Sequence, residues 1–275
     1  MTKRFTALLS VVGAAMAAFA LMASFAQAAT PAPGYSQFAG CPTKAEKAEI
    51  EDCYTIKIKS GNFKIGSKNV PIENPITLDG GWGPAEKSYF SPKGGMTKAK
   101  QKVPGGVIGL TGLTWLAEVL GSSALTLYAT TELAGTPGAP LNPPFQIPVK
   151  VHLENSTGVL GPNCYIGSTA SPIVLNLITE TTSPPPPNEP ITGRQPELEA
   201  SPTNENIILL KNGEFVDNSF SAPSASGCTL TLFGFIPISL NSLVNAQSGL
   251  PAAAGTNETR QVADTEVVNQ EFVYP

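Results

Sequence analysis

Apolar and polar residues alternate strictly in two runs, Tyr54-Thr55-Ile56-Lys57-Ile58-Lys59 and Val149-Lys150-Val151-His152-Leu153-Glu154. A period of two gives each run one apolar and one polar face, as a half-exposed antiparallel strand requires. Further short strands are predicted at 62–65, 125–133, 173–179, 207–210 and 229–235. Residues 107–120 follow another rhythm: Ile108, Leu110, Leu113, Leu116, Val119 and Leu120 fall close to helical spacing, with Trp115 beside them. This predicts one helix laid across a sheet end, and 241–247 a second short one. With 26 prolines and 26 glycines punctuating the runs, the pattern predicts a mainly β chain, an antiparallel β-sandwich with one or two short helices.

The longest apolar run lies outside this pattern. Lys3 and Arg4 precede an apolar stretch from Phe5 to Phe25, followed by Ala26-Gln27-Ala28 and the breaker-rich Thr30-Pro31-Ala32-Pro33-Gly34. A basic start, an apolar middle and an A-x-A exit are the layout of a secretory signal peptide, so residues 1–28 are expected to be removed and the protein to work outside the cytoplasm. An uncleaved anchor is the competing reading, because the run is just long enough to span a bilayer. Phe38-Ala39-Gly40-Cys41 resembles a lipidation box but stands well beyond the apolar run that such a box must follow. The most apolar later stretch, 229–250, is broken by Pro237, Asn241, Asn245 and Gln247, so no transmembrane segment is expected after cleavage.

Four cysteines, Cys41, Cys53, Cys164 and Cys228, all lie in the exported part. In an oxidising compartment an even count reads as two disulfides. Three pairings are open; Cys41 with Cys53 and Cys164 with Cys228 is preferred, because the first pair is local and the spacing then divides the chain into halves. Zinc is disfavoured: C-x-x-C spacing is missing and His152 is the sole histidine. Neither a metal nor a cofactor is expected.

These breaks suggest a flexible mature N-terminus over 29–40, a β-rich unit over 41–135 carrying the 107–120 helix, a proline-rich connector at 136–148, and a second β-rich unit over 149–275 with a proline-rich insert at 183–206. Either one elaborated domain or two sandwich-like units fit. Ile65-Gly66-Ser67 with Pro71-Ile72 reappears as Ile166-Gly167-Ser168 with Pro172-Ile173, each soon after a Cys-Tyr pair. A duplicated unit would produce such an echo.

Charge is segregated. Residues 29–150 hold twelve lysines against nine acidic residues, and residues 151–275 hold three basic residues against twelve acidic ones, giving +3 and −9 within an overall −4. Lys93, Lys98, Lys100 and Lys102 sit in an acid-free, glycine-rich stretch that is either a solvated loop or a contact for an anionic wall polymer. Nucleic acid is not an expected partner, because the chain is acidic and lacks a basic, aromatic-studded face.

Catalytic patterns are scarce. His152 has no G-x-S-x-G elbow to serve, and its His152-Leu153-Glu154 lacks the P-C-x-x-C of zinc deaminases. Asp79, Glu86, Glu132 and Glu180 are available carboxylates, but nothing in the sequence pairs them as a glycosidase needs.

The stretches Pro104-Gly105-Gly106, Glu132-Leu133-Ala134-Gly135-Thr136-Pro137 and Asn163-Cys164-Tyr165-Ile166-Gly167-Ser168, with the proline run in 182–193, resemble secreted proteins of high-GC Gram-positive (actinobacterial) bacteria. That group has no assigned activity. The resemblance therefore implies an exported bacterial protein and no functional residues.

The expectation is a non-catalytic secreted or cell-envelope protein with a structural or binding role, its partner a cell-surface protein or wall polymer. The alternative is an extracellular carrier of a lipid-like ligand held against 107–120, which turns on whether Leu113, Trp115 and Leu116 are core or pocket lining. A hydrolase with paired carboxylates ranks third. Intact-mass spectrometry of the exported protein is expected to show a chain starting at Ala29 that gains one hydrogen per cysteine on reduction. An uncleaved mass or free thiols would overturn the secreted reading.

Overall fold

The computed structural model describes residues 29–83, 88–91, 95–140, 142–232 and 235–275; the expected signal segment and Lys93 lie outside them. In chain order come β1 (Asp52–Ile65), β2 (Lys68–Pro71), β3 (Ile76–Gly83), β4 (Ser88–Phe90) and β5 (Lys100–Lys102), then helices α1 (Gly106–Thr111) and α2 (Trp115–Leu120). Next are β6 (Tyr128–Leu133), β7 (Phe145–Glu154), β8 (Tyr165–Ile166), β9 (Ile173–Leu177), β10 (Glu197–Ala200), β11 (Ile208–Asp217) and β12 (Ala225–Ser226). The chain closes with β13 (Thr229–Leu232), β14 (Ile236–Ser239), α3 (Asn241–Ser248), β15 (Glu258–Asn269) and α4 (Gln270–Val273).

The result is a mainly β, antiparallel sandwich. One sheet is seven-stranded, in the order β10-β11-β15-β1-β3-β4 with β2 folded back on β1. The other is six-stranded, in the order β12-β8-β7-β6-β5, with β9 on β7, and β13 and β14 form a separate ribbon. Alternation drives the packing: Ile56 and Ile58 of β1 face Phe145, Ile147, Val149 and Val151 of β7 in one core. Each such side chain contributes about 2 kcal/mol by leaving water.

The two sheets also join at their edges. Residues 95–97 pair with β3, with Asp79 N donating to Gly95 O at 3.0 Å and Thr97 N to Thr77 O at 2.9 Å, and the same segment continues into β5 of the other sheet. On the opposite side Ile178, just past β9, exchanges both backbone hydrogen bonds with Val216 of β11, at 3.1 and 2.8 Å. The sandwich is thus bridged along both sides by isolated pairings, in the manner of a flattened barrel. Closure satisfies backbone groups that open sheet edges would leave unpaired.

The two β-rich stretches, 41–135 and 149–275, both contribute to each sheet: β1 lies between β3 and β15 in one, and β6 pairs with β7 in the other. The connector at 136–148 ends earlier than expected, since Phe145 already begins β7. Residues 29–40 are held in place: Phe38 is fully buried with Tyr35, Cys53 and Val268 in a second cluster, and Ala32 N donates to Val273 O at 2.9 Å. The sequence echo does not mark a duplicated unit. Gly66 turns β1 into β2, which pairs back on β1, whereas the strand after Gly167 pairs with β7.

The single helix expected at 107–120 is two. Gly112 adopts φ 74°, a left-handed conformation that ends α1 and that other residues reach only at a cost. The disulfides are Cys41–Cys53 and Cys164–Cys228, with separations of 12 and 64 residues. Loop entropy assigns them about 3 and 4 kcal/mol.

Bulges on both neighbours of β15 meet at one carboxylate. The β1 register slips between Ile58 and Ser60, where Gly61 approaches the Arg260 carbonyl more closely than any side chain would permit. The β11 register slips between Leu210 and Gly213, with Asn212 at φ 56°. Asp264 of β15 accepts from Lys59 Nζ at 2.7 Å and from Asn212 N at 2.9 Å. Burial pushes its carboxyl up, but these hydrogen bonds and the Lys59 and Lys211 charges outweigh burial and hold it below the usual carboxylate range. With a lowered folded-state pKa, the clip stabilises the protein above about pH 4, the ordinary carboxylate value, and loses that contribution as pH falls through the folded-state value. Asp264→Asn is expected to be about 1–2 kcal/mol less stable at neutral pH, discounted for its partial exposure. The deficit should close toward pH 2 in urea denaturation; a pH-independent deficit would exclude an ionic role.

Candidate functional site: the apolar interior

Among the described residues the interior holds at least two partly open cavities rather than continuous packing. The first, about 70 Å³, lies between Ile65, Val149 and Val151 and reaches Leu110 of α1 and Ser248 of α3 at one barrel end. The second, about 100 Å³, lies beneath Pro140, Pro143 and Pro196 at the other end. Ile58, Ile147 and Gln261 border both. The space arises because the facing positions carry small side chains, Ala129 on β6 at the first cavity and Ala263 on β15 at the second.

Neutral polar groups break the apolar lining. Gln101 is engaged at both ends of its amide, accepting from Glu73 N and Asn74 N at 2.9 Å and donating to Asn74 O at 2.6 Å. Lys68 reaches the end of the first cavity, where its ammonium donates to Gly109 O at 2.7 Å. Two buried atoms on the lining have no hydrogen-bond partner, Ser248 Oγ and Gln261 Oε1. Leaving a buried polar atom unpaired costs about 1–3 kcal/mol; among the described residues Trp82 Nε1, Asn218 Oδ1 and Gln270 Oε1, away from both cavities, are unpaired as well.

The residues singled out from sequence fall elsewhere. Leu116 is fully buried in the main core, Leu113 packs half-buried against it, and Trp115 is 43% exposed. None of the three borders either cavity; Leu110 is the residue of that stretch that does. The lysines are dispersed along a neutralised face. Lys98 meets Glu132 and Lys100 meets Glu154, both at 3.1 Å. The Glu132 hydrogen bond and charge raise the Lys98 pKa. Burial pushes the Glu154 carboxyl up, but Lys100 outweighs it and holds that carboxyl low. Lys102 borders an open cleft with Glu73 and Gly105. His152 stacks on Tyr165, with ring centroids 4.5 Å apart, and its Nε2 lies 3.1 Å from Pro162 O. Proline run 183–190 sits on an arm tied down through Asn188, which donates to Asn218 O at 2.9 Å and Asn257 O at 2.7 Å.

Gln261 and Ala263 escaped the sequence reading because β15 has no apolar period. Its inward positions are Thr259, Gln261, Ala263 and Thr265, and its outward ones include Glu258, Arg260, Asp264 and Glu266. Charged residues at four of the five outward positions from Glu258 to Glu266, Val262 being the exception, were the signal available. Compared with known protein families, curated proteins and solved structures, the chain matches none.

Leu116→Ala is expected to cost about 3 kcal/mol, as a buried leucine truncation does, and Trp115→Ala less than about 1 kcal/mol. Chemical denaturation of both variants checks this; equal costs would contradict the core assignment of Leu116.

Proposed function

We propose that the protein acts outside the cytoplasm as a non-catalytic binding protein, and that it holds its ligand in the apolar interior rather than on the lysine-bearing face. The observation that carries this reading is the pair of cavities that share Gln261 as a wall, its Oε1 buried without a partner among the described residues. Export is supported by the signal-like first 28 residues and by the two disulfides, which persist in oxidising compartments.

The lining favours holding a molecule over transforming it. Its polar groups are amides and hydroxyls, and the one ammonium on it, that of Lys68, is engaged by a backbone carbonyl. The volumes narrow the earlier lipid-like alternative. A cavity of about 150 Å³ accommodates benzene, whereas drug-sized ligands occupy about 300 Å³ or more. The fitting ligand is a small apolar molecule, not a long acyl chain. The lysines favour a surface polymer less, because Lys98 and Lys100 already face carboxylates across the strands.

Toluene is expected to raise the thermal midpoint of the mature, oxidised protein, by the equivalent of about 2.7 kcal/mol at a hundred times its Kd. Ala129→Leu and Ala263→Leu, which add bulk at the two cavities, should shrink that shift even where they alter stability themselves. An unchanged midpoint for the wild type, with no binding by calorimetry, would overturn interior binding.

A further inference from the structure

Building on the interior-binding reading, we propose that the ligand is a small neutral molecule, apolar apart from one hydroxyl, a phenol or short alcohol that donates its hydroxyl proton to Gln261 Oε1.

The hydrogen-bond geometry fixes which end of the Gln261 amide is free. Thr259 Oγ1 lies 2.9 Å from Asn62 O. A carbonyl only accepts, so the single Thr259 hydroxyl proton is committed there. The Gln261 amide group 3.1 Å from Thr259 Oγ1 must then be the donor, its NH₂. Reversing the amide would set two acceptors against each other. The carbonyl end is therefore the one without a partner, in a side chain only 7% exposed. A buried lone acceptor selects for a donor.

Three consequences define the ligand class. A ligand with only acceptors, such as an ether or ketone, leaves Oε1 unpaired and gains nothing from it. A carboxylate at that point would set negative charge against an acceptor in an apolar surrounding. A hydroxyl satisfies Oε1 while its carbon skeleton fills the apolar space. Neither cavity alone, at about 70 and 100 Å³, reaches the roughly 150 Å³ that holds benzene. A ligand of roughly six to nine non-hydrogen atoms on that scale therefore requires the two spaces to open into one around it, by movement of the walls they share at Ile58, Ile147 and Gln261.

The test compares phenol with toluene, which have nearly the same shape but differ by the donor. Calorimetry gives the affinity of each for the wild-type protein and for Gln261→Met, which keeps the side-chain length and removes the acceptor. Because phenol loses more hydration on entry, the informative quantity is the change in the phenol-to-toluene affinity ratio between the two proteins. That ratio is expected to fall about tenfold or more in Gln261→Met. An unchanged ratio, with both ligands bound, overturns the donor assignment and leaves interior binding standing; it would mean that Oε1 is satisfied by water. Binding of neither ligand to the wild type overturns interior binding itself, and the assignment with it. If Gln261→Met does not fold, a structure of the wild type with phenol decides: the hydroxyl within hydrogen-bond distance of Gln261 Oε1 supports the assignment, and the hydroxyl placed elsewhere overturns it.

Discussion

Pairing of the first long strand with the last organises this protein. β1 and β15 run antiparallel from Asp52 opposite Asn269 to Lys64 opposite Glu258. This ladder joins chain segments about as far apart as the described residues allow. It places β15 between β1 and β11 and makes the seven-stranded sheet continuous. Once that sheet exists, its outer members need partners for their free backbone groups. Segment 95–97 supplies them along the part of β3 that β4 does not cover, and Ile178 along the part of β11 that β10 does not cover. The barrel is thus a consequence of satisfying edges, and neither half of the chain can complete it alone. Because these pairings are so distant in sequence, loop-closure entropy must be overcome before they stabilise anything.

Closure also explains the space in the interior. β15 faces inward with Thr259, Gln261, Ala263 and Thr265, while β7 opposite faces inward with Phe145, Ile147, Val149, Val151 and Leu153. Large aliphatics on one wall meet small or polar residues on the other, and two cavities remain beside Gln261. Interiors are normally filled to crystal-like density, and an unpaired buried amide oxygen adds cost to the lost contacts. In the binding reading proposed above, this space and the unpaired acceptor together form the compartment that the ligand fills.

The charge segregation read from the sequence resolves into pairing across the fold. Lys59 of the basic half meets Asp264 of the acidic half, and Lys100 meets Glu154. Lys98 and Lys150 share Glu132 on the outer face of the six-stranded sheet. Exposed pairs of this kind contribute little each. Their larger effect is to neutralise what reads as a basic loop in one dimension, and at Asp264 to satisfy the backbone of a bulge.

The period-two runs at 54–59 and 149–154 were sufficient to identify β1 and β7, because each strand buries one face and the apolar residues must then alternate. Cysteine number pointed to two disulfides and spacing favoured, among three open pairings, the one found, in which each bridge stays on its own side of the central connector. Composition sufficed for a mainly β chain, with Gly and Pro marking its breaks. The sequence could not reveal that both halves enter the same two sheets, because strand pairing is set by distant backbone hydrogen bonds that leave no local pattern. Nor could it show the split of 107–120 into two helices, which depends on Gly112 taking a left-handed turn while Leu110 and Leu116 are both drawn into the core. The interior site was the least legible of all. Gln261 looks like any polar residue in a polar stretch, and only the tertiary structure decides that it faces inward, because a strand's inward face is defined by what closes over it.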